Sequence, residues 1–209
     1  MDFYDQHILP RLIDLACGGR PLDRVRRQVA SRAQGRVLEV GFGSGLNLRH
    51  YDAARVQRVL ALEPAVALRE LARPRLQACA IPVEFVEGGA ERIALPDASV
   101  DSIVVTFTMC SIADVERAAR EMRRVLRPGG RLHFAEHGLG RSMRVQRWQH
   151  RLEPVWSPLA GNCHLTRHPP GILAAAGFDV DWAEGLLDTR VLASRTIGPV
   201  LYGYWGCAA

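Results

Sequence analysis

The chain contains no lysine: its 27 basic residues are all arginine, set against 22 acidic residues for a net charge of +5. These arginines are scattered, with only a short cluster at Arg24, Arg26 and Arg27. They read as solvated surface charge and biased composition, not as a nucleic-acid footprint. No C-x-x-C pair occurs, and the five cysteines (Cys17, Cys79, Cys110, Cys163 and Cys207) are odd in number and far apart. That argues against a structural zinc site and for a reducing, cytoplasmic setting. No apolar run approaches the roughly 18 residues that cross a bilayer, and the first residues carry no signal-peptide pattern. Repeats and low-complexity segments are also missing. With 209 residues, 48% of them hydrophobic, the chain can bury a full core as one soluble domain.

What is present begins at Arg36-Val37-Leu38-Glu39-Val40, a short apolar run fit for a buried strand, followed by Gly41-Phe42-Gly43-Ser44-Gly45. Glycines at a strand end let the backbone turn sharply and lie close to a ligand, because no Cβ intervenes. The spacing is G-x-G-x-G. The dinucleotide pattern G-x-G-x-x-G fails, because its last glycine would fall on Leu46. A second strand over 57–62 stops at Glu63, with Pro64 opening the next element. A strand-end carboxylate about 20 residues beyond such glycines can accept both hydroxyls of a ribose; it can equally be an acidic residue favoured at a helix N-terminus.

The rest of the chain alternates. Apolar spacing predicts helices over about 3–16 and 21–33, the second opening with Pro21. Another follows at 65–78, disturbed by Pro74, and one at 114–126. Strands are expected at 83–87, 100–106 and 131–136, which implies a parallel sheet with helices on both faces. Residues 141–170 carry Trp148, Trp156 and four prolines and read as an insertion, not a regular βα unit. A short helix near 170–176 ends at Gly177. Strands at 178–183 and 200–205 follow with too little chain between them for a helical crossover, so the last strand should be antiparallel.

Several stretches together resemble the ordered motifs of class I S-adenosylmethionine (SAM) methyltransferases. They are Val37 to Gly45, the strand-end Glu63, Ala90-Glu91 followed by Leu95-Pro96-Asp97-Ala98-Ser99-Val100-Asp101, and Glu121 to Gly130. Further segments are similar to a narrower group, the alkyl thiol methyltransferases of mammals and their bacterial relatives. These are Phe134 to His137, Arg147 to Trp156, Asn162 to Arg167 and Tyr202-Gly203-Tyr204. The mammalian members begin with a hydrophobic membrane anchor not found in these residues, so at most peripheral membrane contact is expected. The resemblance implies an α/β, Rossmann-like fold with a mostly parallel seven-stranded sheet and an antiparallel last strand. It also divides the single domain 1–209 into a helical lid (1–34), a SAM-binding core (35–136), a substrate-side insertion (137–170) and a closing helix and strands (171–209).

The same resemblance implies where SAM, and its product S-adenosylhomocysteine, would lie. Gly41, Gly43 and Gly45 would let the backbone approach the methionine part, with Thr106 bordering that end and Glu39 a further cofactor-binding candidate. Glu63 would hold the ribose, and Leu62 or Pro64 would flank the adenine. In many relatives an aspartate contacts the adenine amino group at the position occupied here by Gly89, so Ala90 backbone groups or Glu91 must serve. Asn47 is either a cofactor contact or an exposed helix residue.

Methyl transfer from a sulfonium is an in-line displacement that chiefly needs alignment and exclusion of water. A thiol acceptor requires little more, since it is already a few per cent ionised at neutral pH. His137, at the end of the fifth strand, either takes the acceptor's proton or hydrogen-bonds the backbone there. Cys163 and His164 are neighbours on an extended segment and should face opposite ways, so direct activation of one by the other is not expected. No spaced ligand pair suggests a metal. That segment, together with Cys110, Trp148 and Trp156, either lines the acceptor pocket or packs the insertion. The N-terminal helix with Phe3, Tyr4 and His7 is a candidate lid. The expected function is methylation of a small, fairly apolar thiol or of sulfide ion. The alternatives are N- or C-methylation of a lipid or quinone-type acceptor, and SAM binding without turnover.

Overall fold

The computed structural model describes residues 8–186 and 202–209. Phe3, Tyr4 and His7 of the candidate lid, and the first two residues of the expected strand 200–205, lie outside that range. Seven strands form the main sheet: β1 (Gly35–Val40), β2 (Val56–Leu62), β3 (Val83–Val86), β4 (Val100–Thr106), β5 (Leu126–His137), β6 (Val180–Leu186) and β7 (Tyr202–Ala208). Their order is β3-β2-β1-β4-β5-β7-β6. The first five pair in parallel, whereas β7 runs antiparallel to both β5 and β6.

Period-two alternation along the strands divides the core in two. Leu38, Val40, Leu60, Leu62, Ile103 and Val105 share one apolar cluster, while Val37, Val59, Ala61 and Val104 share another on the opposite face. Burial on both faces is why these strands read as near-continuous apolar runs. The α-helices among the described residues are α1 (Leu9–Cys17), α2 (Arg20–Ala30), α3 (Val66–Gln77), α4 (Val115–Val125), α5 (Met143–Leu159) and α6 (Pro169–Ala175), beside a 3₁₀ turn at Leu48–His50 and a small antiparallel ribbon of Gly88–Gly89 with Arg92–Ile93. α4 turns Ala118, Ala119 and Met122 into the first cluster, together with Leu173 of α6. On the other face, Ala72 of α3 joins the second cluster, and Leu22, Val25 and Val29 of α2 pack with Ala135.

Two helices run through their prolines. Within the insertion 141–170, Met143–Leu159 is one 17-residue helix with Pro154 and Pro158 inside it. Each proline forfeits an intrahelical hydrogen bond. The helix is instead fixed from outside: fully buried Gln149 accepts from the Gly140 N–H at 2.8 Å and donates to the Gly138 carbonyl at 2.8 Å, and Ser142 caps its N-terminus. Similarly, α3 continues through Pro74 to Gln77. Among the described residues no helix is long and apolar enough to cross a membrane.

The carboxyl ends of β1, β2, β4 and β5 all open onto the same edge of the sheet. In an open α/β sheet that edge, outside the strand ends, is where a ligand-binding crevice forms.

Candidate active site

A cavity of about 760 Å³ opens at that edge, walled by α1, the glycine loop, the ends of β2 and β4, and residues 156–163. Its size suits a nucleotide-like ligand with a small acceptor beside it. Most of its lining is apolar, including Leu9, Leu12 and Ile13 of α1 and Leu62 and Leu68 near β2 and α3.

At one end, the loop after β1 holds Gly41, Gly43 and Gly45 with φ of +69°, +58° and +78°. Gly41 is the position where the residue type is forced. A Cβ there would collide with the Thr108 side chain, and the left-handed backbone disfavours any other residue. Glu63, at the end of β2, is buried and receives two backbone hydrogen bonds, from Gly43 N–H and Ala65 N–H, both 2.9 Å. Burial raises its pKa, opposed by those two bonds and by Arg69. Pro64, Gly89, Ala90 and Glu91 follow along the same wall.

Beneath the glycine loop lies a buried polar network. Arg26 of α2 donates to Thr106 Oγ1 (2.6 Å) and Asn47 Oδ1 (3.2 Å), and Asn47 Nδ2 donates to Thr106 Oγ1 (3.0 Å) and Glu39 Oε1 (2.9 Å). Tyr51 O–H completes it with a 2.7 Å bond to Glu39 Oε2. Desolvation pushes Glu39 up to about 7 despite these donors. Arg26 and Thr106 reach the cavity wall; Glu39 and Asn47 do not. Glu39 and Asn47 sit behind the cavity wall and hold Arg26 and Thr106, which face it. Asn47 is fully buried, so it is not an exposed helix residue.

α1 is fastened over this end. Its Asp14 accepts a short hydrogen bond from Ser44 Oγ of the glycine loop. It also pairs with Arg75 at 2.9 Å, and Arg75 itself donates to the Ser44 carbonyl at 2.9 Å.

The opposite end gathers sulfur and nitrogen. Cys110 from the loop after β4, His137 at the end of β5 and Cys163 from the loop after α5 all line the cavity. The two Sγ atoms are 3.3 Å apart, and Cys163 Sγ lies 3.8 Å from His137 Nδ1. Cys163 is held low, at about 4, chiefly by its hydrogen bond with Cys110 and secondarily by His137, while Cys110 is raised by that same bond and by burial. Glu136, buried beside His137 and raised to about 7 by desolvation, accepts from the N–H groups of Thr108 (2.8 Å) and Cys110 (3.3 Å). Its carboxylate fixes the turn that carries Cys110.

Two expected acceptor residues lie elsewhere. Trp148 is 41% exposed on the outer face of α5, near Arg151, and does not line the cavity; Trp156 does. His164 also points away from the cavity, to Glu153 Oε1 at 2.7 Å. Sequence reading missed Arg26 by grouping it with solvated arginines. Its spacing from Leu22, Val25 and Val29 on the buried stripe of α2 was the available signal. The convergence of Cys110, His137 and Cys163 left no local trace, because the two cysteines are 53 residues apart.

Residues 38–134 match the family model of a methyltransferase domain. The chain is 34% identical over 176 residues to the human thiol S-methyltransferase TMT1A, covering 80% of this chain and 69% of that protein. It spans 54% of the rat TMT1B and 65% of the human TMT1B. It is also 28% identical over 193 residues to a demethylmenaquinone methyltransferase of Thermus thermophilus, covering 83% of this chain and 87% of the relative. The fold is that of a Haemonchus contortus phosphoethanolamine N-methyltransferase solved with S-adenosylhomocysteine, with a TM-score of 0.71 at 15% identity over 100% of this chain and 60% of that one. The chain belongs to the class I SAM-dependent methyltransferases.

Proposed function

We propose that the protein transfers the methyl group of SAM to a small apolar thiol. The observation that carries this reading is the similarity to human TMT1A across 80% of the chain. The cavity supports it: one end is suited to a nucleoside, and the other is an apolar chamber ending in His137. In this reading the Gly41–Gly45 loop carries the methionine portion of SAM, and the cation of Arg26 faces its carboxylate. Glu63 accepts from the ribose hydroxyls while keeping its bonds to Gly43 and Ala65. Pro64 and Leu68 flank the adenine, with Ala90 and Glu91 at its amino edge. α1 acts as the lid that excludes water from the sulfonium. His137 takes the proton of the incoming thiol, whose sulfur then displaces S-adenosylhomocysteine in line.

A second reading, C-methylation of a quinone-type ring, draws on the match along 87% of the Thermus relative. Conversion of SAM to S-adenosylhomocysteine against thiols, hydroquinones, amines and phosphatidylethanolamine separates the two. The thiol reading expects thiols alone to drive turnover; turnover on hydroquinones alone would replace it.

A further inference from the structure

The geometry points to a metal site in the acceptor chamber. We propose that Cys110, His137 and Cys163 bind one thiophilic d¹⁰ cation of the zinc type through two thiolates and one imidazole, leaving its fourth position for the acceptor. A tetrahedral ion with bonds of about 2.3 Å to sulfur and about 2.0 Å to nitrogen needs donors separated by roughly 3.5–3.8 Å. The structure holds Cys110 and Cys163 sulfurs 3.3 Å apart, Cys163 Sγ and His137 Nδ1 3.8 Å apart, and all three donor atoms within 4.8 Å of one another. To bind the ion the two sulfurs would part by a few tenths of an ångström, and the third donor pair, within 4.8 Å, would close by up to roughly 1.3 Å. Two sulfurs and one imidazole select a soft or borderline cation over magnesium or calcium. Three protein ligands with one open position is the arrangement of a catalytic site, not of a closed structural one.

The ligands are also held in place before any ion arrives. His164 N–H donates to the Cys110 carbonyl at 2.8 Å, which joins the two cysteine segments backbone to backbone. Arg167 reaches the Met109 carbonyl through a short hydrogen bond. Glu153 accepts from Leu165 N–H at 2.8 Å and from Thr166 Oγ1 at 3.2 Å, and Glu136 fixes the turn at Cys110. Such outer partners orient metal ligands. All three ligands line the cavity and are buried, so an acceptor entering the cavity reaches the fourth position.

The catalytic part rests on the thiol-acceptor reading. A thiol R–SH entering the fourth position gives its proton to water and binds as R–S⁻. Its sulfur then forms the new S–CH₃ bond as the C–S⁺ bond of SAM breaks, with that electron pair passing to the sulfur of S-adenosylhomocysteine. The thioether, a poorer ligand than a thiolate, departs, and the cation undergoes no redox change. With the ion bound, His137 serves as ligand and the cation replaces it as the group that favours the thiolate.

Metal binding is measured without any acceptor, on the full chain reduced with a phosphine and freed of metal. Zinc added to the apoprotein should be retained at one equivalent per chain after gel filtration. Cobalt(II) should produce thiolate-to-metal charge-transfer absorption. Cys110→Ser and Cys163→Ser should each weaken zinc binding by more than about tenfold, whereas Cys79→Ser and Cys207→Ser should not. Retained S-adenosylhomocysteine binding would show that the variants are folded. A reduced wild type that stays metal-free at equimolar zinc overturns the site, as does zinc binding indifferent to both cysteine variants. If zinc binds as predicted but its removal leaves thiol methylation unchanged, the catalytic role falls while the site stands. If the zinc-loaded protein methylates only non-thiol acceptors, the thiol reading falls and the metal site does not.

Discussion

Glu63 offers the sharpest test of where the cofactor lies. Its two carboxylate oxygens already accept from Gly43 and Ala65, each at 2.9 Å, which leaves lone pairs on both for a pair of ribose hydroxyls. Glu63→Ala removes the ribose contacts and also releases two backbone donors. A hydrogen bond to a charged group contributes about 1.5–3 kcal/mol and a neutral one about 1 kcal/mol. Affinity for S-adenosylhomocysteine should therefore fall by about 10- to 150-fold, since each 1.4 kcal/mol is roughly tenfold. Part of that loss could come from the glycine loop relaxing once Gly43 is released, and calorimetric titration with a second ligand separates the two effects. An analogue lacking both ribose hydroxyls should bind the wild type weakly and Glu63→Ala no worse, so the double-mutant cycle shows a coupling of about 1 kcal/mol or more. Additive losses would place the ribose elsewhere. An unchanged affinity in Glu63→Ala would refute the reasoning outright.

Gly41→Ala should abolish measurable cofactor binding and lower stability by about 1–3 kcal/mol in chemical denaturation, because the new Cβ meets Thr108 at a left-handed backbone position. Arg26→Gln should weaken S-adenosylhomocysteine by about tenfold or more yet leave methylthioadenosine, which has no carboxylate, within about twofold; equal losses for both would show that Arg26 acts only through Thr106 and Asn47. Glu39 has a folded-state pKa of about 7, above its ordinary 4.5. As pH rises, the unfolded chain loses this proton first, so the stability from this group is complete below about 4.5 and is lost through pH 7, by roughly 3 kcal/mol at most. Glu39→Gln should flatten the fall in unfolding free energy over that window, and an unchanged slope would contradict the assignment.

Most of the fold was legible because the sheet is built from local signals. β1, β2 and β4 are buried on both faces and read as apolar runs, and Gly41 to Gly45 and Glu63 mark the ends of the adjacent parallel strands β1 and β2. The failures came where tertiary contacts outweigh local preference. Prolines at 154 and 158 gave no sign of the helix that runs through them; side-chain bonds from Gln149 to the Gly138–Gly140 segment hold α5 in place. Asn47 carried no sign that it would be buried among Arg26, Glu39 and Thr106, since its partners come from three other elements. Trp148 and Trp156 lie eight residues apart on α5, about 80° around the helix; without knowing which face docks, sequence could not tell the cavity wall from the exposed ring. His164 and Cys163 did separate as an extended segment requires, one to Glu153 and the other to the cavity. What periodicity could not supply was the meeting of Cys163 with Cys110 and His137 across the top of the sheet.

The most direct measurement supplies methyl-labelled SAM to the purified protein with a small thiol and a demethylmenaquinone-type hydroquinone in one vessel, and follows the label by mass spectrometry. The account predicts labelled methyl thioether and stoichiometric S-adenosylhomocysteine, with no label on the ring. Label on the hydroquinone carbon and none on sulfur would contradict it.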